Sequence, residues 1–123
     1  MPYGRVLVAN DAKANLYVAE GFLSAYELSI ELAGNGAAAI EKVSNGEVYD
    51  IIFMNHMMPE MHGMEATRLL REMGYQHPIV ALTANMFSDS AQMFLDNGFS
   101  GYISKPIDFN QMDYYLKRFI RNK

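Results

Sequence analysis

Residues 51–55 read IIFMN, four consecutive apolar side chains followed by an asparagine. An uninterrupted apolar run of this length predicts a strand over residues 51–54 that is buried on both faces, as in a parallel sheet covered by helices. Further short stretches with strand character occur at 6–9 (VLVA), 28–32 (LSIEL), 78–82 (PIVAL) and 101–104 (GYIS). The chain therefore contains five candidate strands, of which residues 28–32 alternate in the manner of an edge strand.

A helical pattern follows every predicted strand, with apolar residues recurring at steps of three and four. The first helix is predicted over about 14–26, and the second between the turns at 34–36 and 45–46. The third is predicted over 63–73, the fourth ends at the Asn-Gly at 97–98, and the fifth begins at about 108. The apolar residues that mark the first, second and fourth helices are Leu16, Ala19, Leu23 and Tyr26; Ile40 and Val43; and Phe87, Ala91, Phe94 and Leu95. In the third helix Ala66, Leu69, Leu70 and Met73 are predicted to point inward, and in the last one Phe109, Met112, Leu116, Phe119 and Ile120 are predicted to share one apolar face. Five successive β–α units predict a parallel sheet with helices on both faces, in a single domain over residues 1–123.

The composition is that of one compact domain, since half of the 123 residues are hydrophobic. The chain has no cysteine, which excludes disulfides, thiolate metal sites and a cysteine nucleophile. The net charge of −4 is uneven: residues 1–104 hold five basic and twelve acidic side chains, whereas residues 105–123 hold five basic and two acidic ones. An acidic body argues against nucleic-acid binding. No apolar run approaches the roughly 20 residues of a membrane span, and residues 1–5 are unlike a signal peptide, so we expect a cytoplasmic domain without membrane contacts of its own.

In an open parallel sheet, functional residues lie beyond the carboxyl ends of the strands. The polar residues at those points are Asn10 and Asp11 after the first strand, Asn55 after the third, Thr83 after the fourth and Lys105 after the fifth. Because the carboxyl ends of parallel strands meet at one edge, we expect these side chains to form a single pocket, with a salt bridge between Asp11 and Lys105.

Four short motifs surround these positions, reading VAND at 8–11, FMNHMMP at 53–59, ALTAN at 81–85 and YISKP at 102–106. Together with GMEATR at 63–68 and the closing SKPID at 104–108, they make the whole chain resemble the receiver domain of two-component response regulators. The resemblance is greatest to receivers carried by hybrid sensor histidine kinases. It implies a flavodoxin-like, doubly wound (βα)5 three-layer sandwich with the parallel strand order 2-1-3-4-5.

In that family, an aspartate after the third strand takes a phosphoryl group from a phosphohistidine, and Asn55 stands at this position here. The resemblance implies that the family's Mg²⁺ ligands fall on the positions of Asn10, Asp11, Asn55 and the backbone carbonyl of Met57.

Three further roles follow from the resemblance. Lys105 would be the lysine that pairs with the aspartate and then with the phosphate. Thr83 would be the hydroxyl that contacts a phosphate oxygen, and Tyr102 the switch aromatic.

Two of the family's three carboxylates are amides in this chain. Asn55 lacks the charged oxygen nucleophile that phosphoryl transfer needs, and Asn10 replaces the first acid of the pair, which leaves Asp11 with Lys105. The expected charge of the pocket falls from about −2 to about zero, so it has little means of dehydrating Mg²⁺. We therefore expect no catalytic residues, no bound cofactor, and weak or absent Mg²⁺ binding.

These departures predict a degenerate receiver that acts as a phosphorylation-independent docking or regulatory module and not as an enzyme. The expected partners are a histidine kinase, a phosphotransfer domain or sibling domains of the same chain, and a weak homodimer is a further expectation. A parent chain with a membrane sensor would tether the domain to the membrane.

Two other interpretations are open from the sequence. The domain could be an ordinary phosphorelay receiver silenced by introduced Asp-to-Asn changes at positions 10 and 55, although His62, in place of the family's usual aspartate, favours natural divergence. A small-ligand-binding flavodoxin-like domain would need a phosphate-cradling loop after the first strand, and residues 11–15 (DAKAN) contain no glycine or serine. The three histidines, His56, His62 and His77, are scattered and indicate a metal site only weakly.

Overall fold

A computed structural model of the chain describes residues 4–26, 28–56, 61–83, 88–104 and 109–120. Within these ranges the chain alternates strands and helices from end to end. In order, the elements are β1 (Arg5–Ala9), α1 (Lys13–Leu23), β2 (Ser29–Ala33), α2 (Gly36–Ser44), β3 (Ile51–Asn55), α3 (Gly63–Glu72), β4 (Ile79–Thr83), α4 (Ser88–Asp96), β5 (Gly101–Ser104) and α5 (Phe109–Phe119). One 3-10 turn, Ser24–Tyr26, extends α1.

The five strands form one parallel sheet in the order β2-β1-β3-β4-β5, which confirms the predicted topology. β3 and β4 are buried at every residue, as their apolar runs predict. β2 lies at an edge and is largely half-buried, in agreement with its alternating sequence. The sequence places Asn55 and Thr83 just after the third and fourth strands. In the structure they are the last residues of β3 and β4, because the hydrogen-bonded ladder continues one residue past each apolar run.

Local signals set the ends of α2 as the sequence predicts. The Asn35 side chain accepts a hydrogen bond from Ala38 N at 2.7 Å, which satisfies one of the free N–H groups at the start of the helix. The helix ends at Ser44 with Asn45 as its C-cap, and Gly46 follows with φ of 96°, in the left-handed region that glycine adopts at little cost. The turn between α2 and β3 is therefore encoded by the Asn-Gly pair.

The core consists of two clusters, one on each face of the sheet. On one face, α2, α3 and α4 contribute Ala39, Ala66, Leu70 and Phe94; on the other, α1 and α5 contribute Leu16, Ala19, Leu23, Met112 and Leu116. No helix among the described residues is both long and apolar enough to cross a bilayer.

Three residues predicted to lie on inward or apolar faces are exposed, and the prediction for them is wrong: Leu69, Met73 and Phe109. Leu95, which belongs to the apolar pattern of α4, is exposed as well. Each helix packs on the sheet through a narrow stripe, and consecutive residues on a helix differ in direction by roughly 100°, so Leu69 cannot share the buried direction of Leu70. Phe109 instead stacks on Phe22 of α1, with ring centroids 4.6 Å apart. Phe87 and the side chain of Ala91 lie outside the described part.

Candidate functional site

The candidate site lies at the carboxyl ends of three neighbouring strands. Asn10 directly follows β1, and Asn55 and Thr83 end β3 and β4. In the ladders Ala9 pairs with Met54, and Asn55 pairs with Leu82. The sheet register therefore brings these polar residues to one place.

The three polar residues of this edge, Asn10, Asn55 and Thr83, are each no more than 2% exposed, whereas Asp11 is open to solvent. Lys105 and Met57, which the sequence also assigns to the pocket, lie outside the described residues, so the Asp11–Lys105 salt bridge stays a prediction.

The central contact of the site joins Asn55 to Asp11. Asn55 Nδ2 donates a hydrogen bond to Asp11 Oδ1 over 3.2 Å, across 44 positions of sequence. A carboxylate can only accept hydrogen bonds, so this contact assigns the amide nitrogen, not the oxygen, to the side facing Asp11. The neutral amide N–H of Asn55 thus lies against the Asp11 carboxylate of the pocket.

Asn10 is held by hydrogen bonds to the residue before α1 and to the end of β2. Its Oδ1 accepts a hydrogen bond from Ala12 N at 3.0 Å, and its own N–H donates to Ala33 O at 2.9 Å. Ala12 itself caps α1 without a side-chain hydrogen bond, so Asn10 provides the polar turn that leads into the helix. Its Nδ2 is buried and has no hydrogen-bond partner within the described residues.

The start of α3 is packed tightly against the end of β3. His56 N donates to Leu82 O and Gly63 N donates to His56 O, both at 2.8 Å. A Cβ atom on Gly63 would lie 2.2 Å from Asn55 O, so only glycine allows α3 to approach the site this closely. Sequence reasoning treats Gly63 merely as a helix start; the signal for its role is a glycine at the first helical position, directly after the N-cap His62, where a better helix former is usual.

Tyr102 is half-buried and packs against the cluster formed with α2, α3 and α4. Its backbone N–H and C=O both bond to the hydroxyl of Tyr115 on α5, over 3.2 Å each. Tyr115 is a residue that sequence reasoning does not single out, because nothing in its helical position marks a contact with a strand edge.

The outer side of α5 carries charge in a defined pattern. The Tyr26 hydroxyl donates a hydrogen bond to Asp113, and burial together with this bond raises the pKa of Tyr26 to about 12. The same bond, with the Lys117 ammonium 3.1 Å from Asp113, lowers the pKa of that carboxyl. Arg118 is exposed, donates to the Tyr114 hydroxyl at 3.2 Å, and meets no carboxylate within the described residues.

Among the described residues, no three His, Asp or Glu side chains come together as a protein metal site would require. His56 instead packs its ring edge against Phe94, with centroids 5.0 Å apart.

Comparison with known proteins identifies the class of this fold and site. A model of the response regulator receiver domain matches residues 6–117. The chain is 36% identical over 121 residues to the osmosensing histidine protein kinase SLN1 of Saccharomyces cerevisiae, covering 94% of this chain and 10% of the kinase. It spans between 7% and 15% of the length of eight curated relatives.

Two solved structures are similar over nearly the whole chain. The receiver domain of sensor histidine kinase PA1611 from Pseudomonas aeruginosa PAO1, with a magnesium ion coordinated in its active-site cleft, is 30% identical with a TM-score of 0.83 and covers 96% of this chain and 98% of that one. The receiver domain of Ssk1, crystallised with the histidine phosphotransfer protein Ypd1 of S. cerevisiae, is 25% identical with a TM-score of 0.88 and covers 96% and 89%.

The chain belongs to the response regulator receiver domain family, the receivers of two-component phosphorelays. Within that family it is similar to the receivers of hybrid histidine kinases.

Proposed function

We propose that residues 1–123 form a receiver domain that takes no phosphoryl group, catalyses no reaction itself and acts as a docking module in a phosphorelay. The observation that carries this proposal is the Asn55 amide at the end of β3, donating to Asp11. The nitrogen of a carboxamide has its lone pair delocalised into the carbonyl, and its oxygen lacks the full charge of a carboxylate nucleophile. The acceptor position therefore holds a group without phosphoryl-acceptor chemistry.

The residues of the site do not fit the Mg²⁺ of the family. Mg²⁺ takes oxygen ligands and is usually held through one or two carboxylates. Asn10 already uses one lone pair of its Oδ1 for Ala12 N–H, and Asn55 turns its Nδ2 toward Asp11, so neither position supplies a carboxylate oxygen to a cation beside Asp11. The Asn55 N–H satisfies one acceptor position of this carboxylate without neutralising its charge.

The first test is phosphorylation itself. After incubation with acetyl phosphate and Mg²⁺, we expect intact-mass spectrometry to find no base-labile adduct of about 80 Da, the mass of one phosphoryl group. Beryllofluoride with Mg²⁺ is expected to leave the amide chemical shift of Thr83 unchanged. The double variant Asn10→Asp/Asn55→Asp serves as the positive control for the reagents. A stoichiometric adduct on the unaltered chain contradicts the proposal.

The partners we propose are a histidine kinase, a phosphotransfer protein or sibling domains of a longer chain, on the cytoplasmic side of any membrane the parent protein crosses. The Ypd1–Ssk1 complex shows that a similar receiver forms a complex with such a protein. Without phosphorylation, only the sequence and a partner's differential affinity can bias the surface of the domain between two states.

The proposed docking face is the outer side of α5. Asp113 is already engaged by Tyr26 and Lys117, which leaves the Arg118 guanidinium available to an acidic partner. Arg121, the next basic residue along the sequence, lies outside the described residues.

Reversing the charge of Arg118 is expected to weaken docking. Exposed charges act mainly on association rate and salt dependence, so Arg118→Glu should reduce the partner captured from the native lysate about threefold, and 0.5 M salt should have a similar effect on the unaltered chain. Arg68→Glu, the same charge change at an exposed position of α3, is the matched control and should behave like the unaltered chain. Identical capture by both variants at low and high salt contradicts a basic docking face on α5.

A further inference from the structure

The two edges of the sheet are finished differently. At the β5 edge, the backbone N–H of Tyr102 donates to the Tyr115 hydroxyl, which in turn donates to Tyr102 O. This approach requires Gly101, because a Cβ atom there would lie within 2.7 Å of three atoms of Tyr115. A side chain of the domain itself therefore occupies the groups through which β5 would accept another strand.

The β2 edge has no such cover. Ser29 N donates to Gly4 O, so every second residue counted from Ser29 turns its backbone groups toward β1. These groups alternate in direction along a strand, and those of the residues in between face outward, namely Leu28, Ile30 and Leu32. No loop or side chain among the described residues bonds to them. A row of unpaired backbone groups on an edge strand is a template for a further strand.

The sequence of this edge is nearly palindromic. Residues 28–32 read LSIEL, with leucine at both ends and isoleucine at the centre. When two copies pair in antiparallel fashion about Ile30, Leu28 of each copy lies opposite Leu32 of the other, and Ile30 lies opposite Ile30. All three outward-facing residues then form hydrogen-bonded pairs, and each pair exchanges two main-chain hydrogen bonds. The edge is therefore complementary to itself.

On one face of the sheet, this pairing extends the core. Leu28 belongs to the apolar cluster under α1 and α5, and Ile30 and Leu32 pack against that cluster. Because side chains at i, i+2 and i+4 of a strand share a face, all three point to the same side of the sheet. The pairing thus joins the apolar clusters of the two copies across the edge.

On the other face, the pairing brings no like charges together. Ser29 is exposed and lies across from Glu31 of the second copy, to which its hydroxyl can donate a hydrogen bond. Glu31 is already paired with Arg5 at 2.6 Å and with Lys42 at 3.4 Å, and Glu47 shares Arg5. These two basic and two acidic side chains balance each other, so β2 offers no unpaired carboxylate that would select a basic strand.

The helices beside the edge fit the same arrangement. α1 packs over both β1 and β2, and neighbouring strands lie roughly 4.8 Å apart, so the two α1 axes would lie about 10 Å apart across the joint. That spacing is within the range of packed helices, about 8–10 Å. An open groove of about 580 Å³ separates α1 from β2, and Tyr17, which lines it, is 63% exposed. The α1 helix of a second copy would cover this groove.

We propose that two copies of the chain associate through their β2 edges, antiparallel about Ile30, into one continuous sheet. The carboxyl edges of the two copies then point in opposite directions, and the outer sides of both α5 helices stay open. The association is separate from the α5 docking face and from the acceptor position, so its test is independent of both.

Glu20 keeps this association weak. It is the one charged side chain among the described residues that line the groove, and a dimer brings two of them to the joined grooves. We therefore expect a reversible dimer at roughly 0.1–1 mM protein, strengthened about threefold by 0.5 M salt, which screens the repulsion. Docking through Arg118 has the opposite salt dependence. Sedimentation velocity measures this dependence, and a chain that stays monomeric at 1 mM overturns the proposal.

Nuclear magnetic resonance tests the register. In a mixture of isotope-labelled and unlabelled chains, we expect an intermolecular contact between Hα of Ser29 and Hα of Glu31, the close pair of this register. Amide exchange at Ile30 and Leu32 should slow about tenfold once about nine in ten chains are dimeric, whereas the Glu31 amide, which faces β1, should not respond. A contact between Glu31 and Glu31 of the other copy, or no protection of Ile30 and Leu32, contradicts this pairing.

Charges at Ser29 test the pairing without disturbing the core. Ser29→Glu places a carboxylate opposite Glu31 and should weaken association at least about fivefold, whereas Ser29→Lys should strengthen it about threefold. The matched controls are Gln92→Glu and Gln92→Lys, the same charges at an exposed position of α4, which should leave the dissociation constant unchanged. Equal association of the two Ser29 variants, or equal effects at Gln92, overturns the proposal.

Discussion

Replacing Asn10 and Asn55 together by aspartate should lower the free energy of unfolding by about 1–3 kcal/mol without Mg²⁺, the usual range for uncompensated charge changes in buried surroundings. Asn55→Asp converts the hydrogen bond to Asp11 into a contact between two carboxylates about as close as the present 3.2 Å. Asn10→Asp adds a third negative charge at a position that is 1% exposed. Both changes add negative charge next to the Asp11 carboxylate.

Millimolar Mg²⁺ should reverse part of that loss, because three carboxylates restore the oxygen ligands that the cation requires. Urea unfolding with and without Mg²⁺ measures both effects. The matched control is Asn35→Asp, the same chemical change at the N-cap of α2, where a carboxylate near the helix N-terminus should leave stability nearly unchanged and insensitive to Mg²⁺. Equal stability of the double variant with and without metal would show that the pocket is not arranged in this way.

The second large effect is expected at Gly63. Gly63→Ala places a Cβ atom 2.2 Å from Asn55 O, a backbone atom that can move only if the end of β3 moves. We expect a loss of about 3 kcal/mol or more in the free energy of unfolding, at the upper end for overpacking because the clash is with backbone. The backbone displacement should also reach the candidate site, because the carbonyl that must move belongs to Asn55.

Gly21→Ala is the matched control for this change. Gly21 lies within α1 with no neighbour within 4 Å of the added Cβ, so alanine should raise the free energy of unfolding by about 0.5–1 kcal/mol through its better helix propensity. The same glycine-to-alanine change is thus expected to lower the free energy of unfolding at Gly63 and to raise it at Gly21. Thermal or urea unfolding decides, and a Gly63→Ala variant within about 0.5 kcal/mol of the unaltered chain contradicts the close packing of α3 on β3.

Local patterning accounts for most of the fold. Continuous apolar runs predict the buried strands β3 and β4, and the Asn-Gly pair at 45–46 predicts the end of α2, because both signals act through neighbours in the chain. The inward faces of the helices are predicted less well. Leu69 and Leu95 satisfy the apolar pattern but lie outside the stripe that meets the sheet, since the pattern gives a helix an apolar side without giving its rotation on the sheet.

The sequence by itself determined a parallel sheet of five β–α units, the polar residues at its carboxyl edge, and the amides at positions 10 and 55, whereas the strand order was implied by the family resemblance. It did so because parallel strands necessarily bring their carboxyl ends together. Only the tertiary structure decided that the Asn55 amide faces Asp11, that Gly63 must be glycine, and that Tyr115 closes one edge of the sheet while the edge at Ile30 and Leu32 stays open. These contacts join residues far apart in the chain, and their geometry depends on how finished elements pack, which no local pattern of residue types encodes.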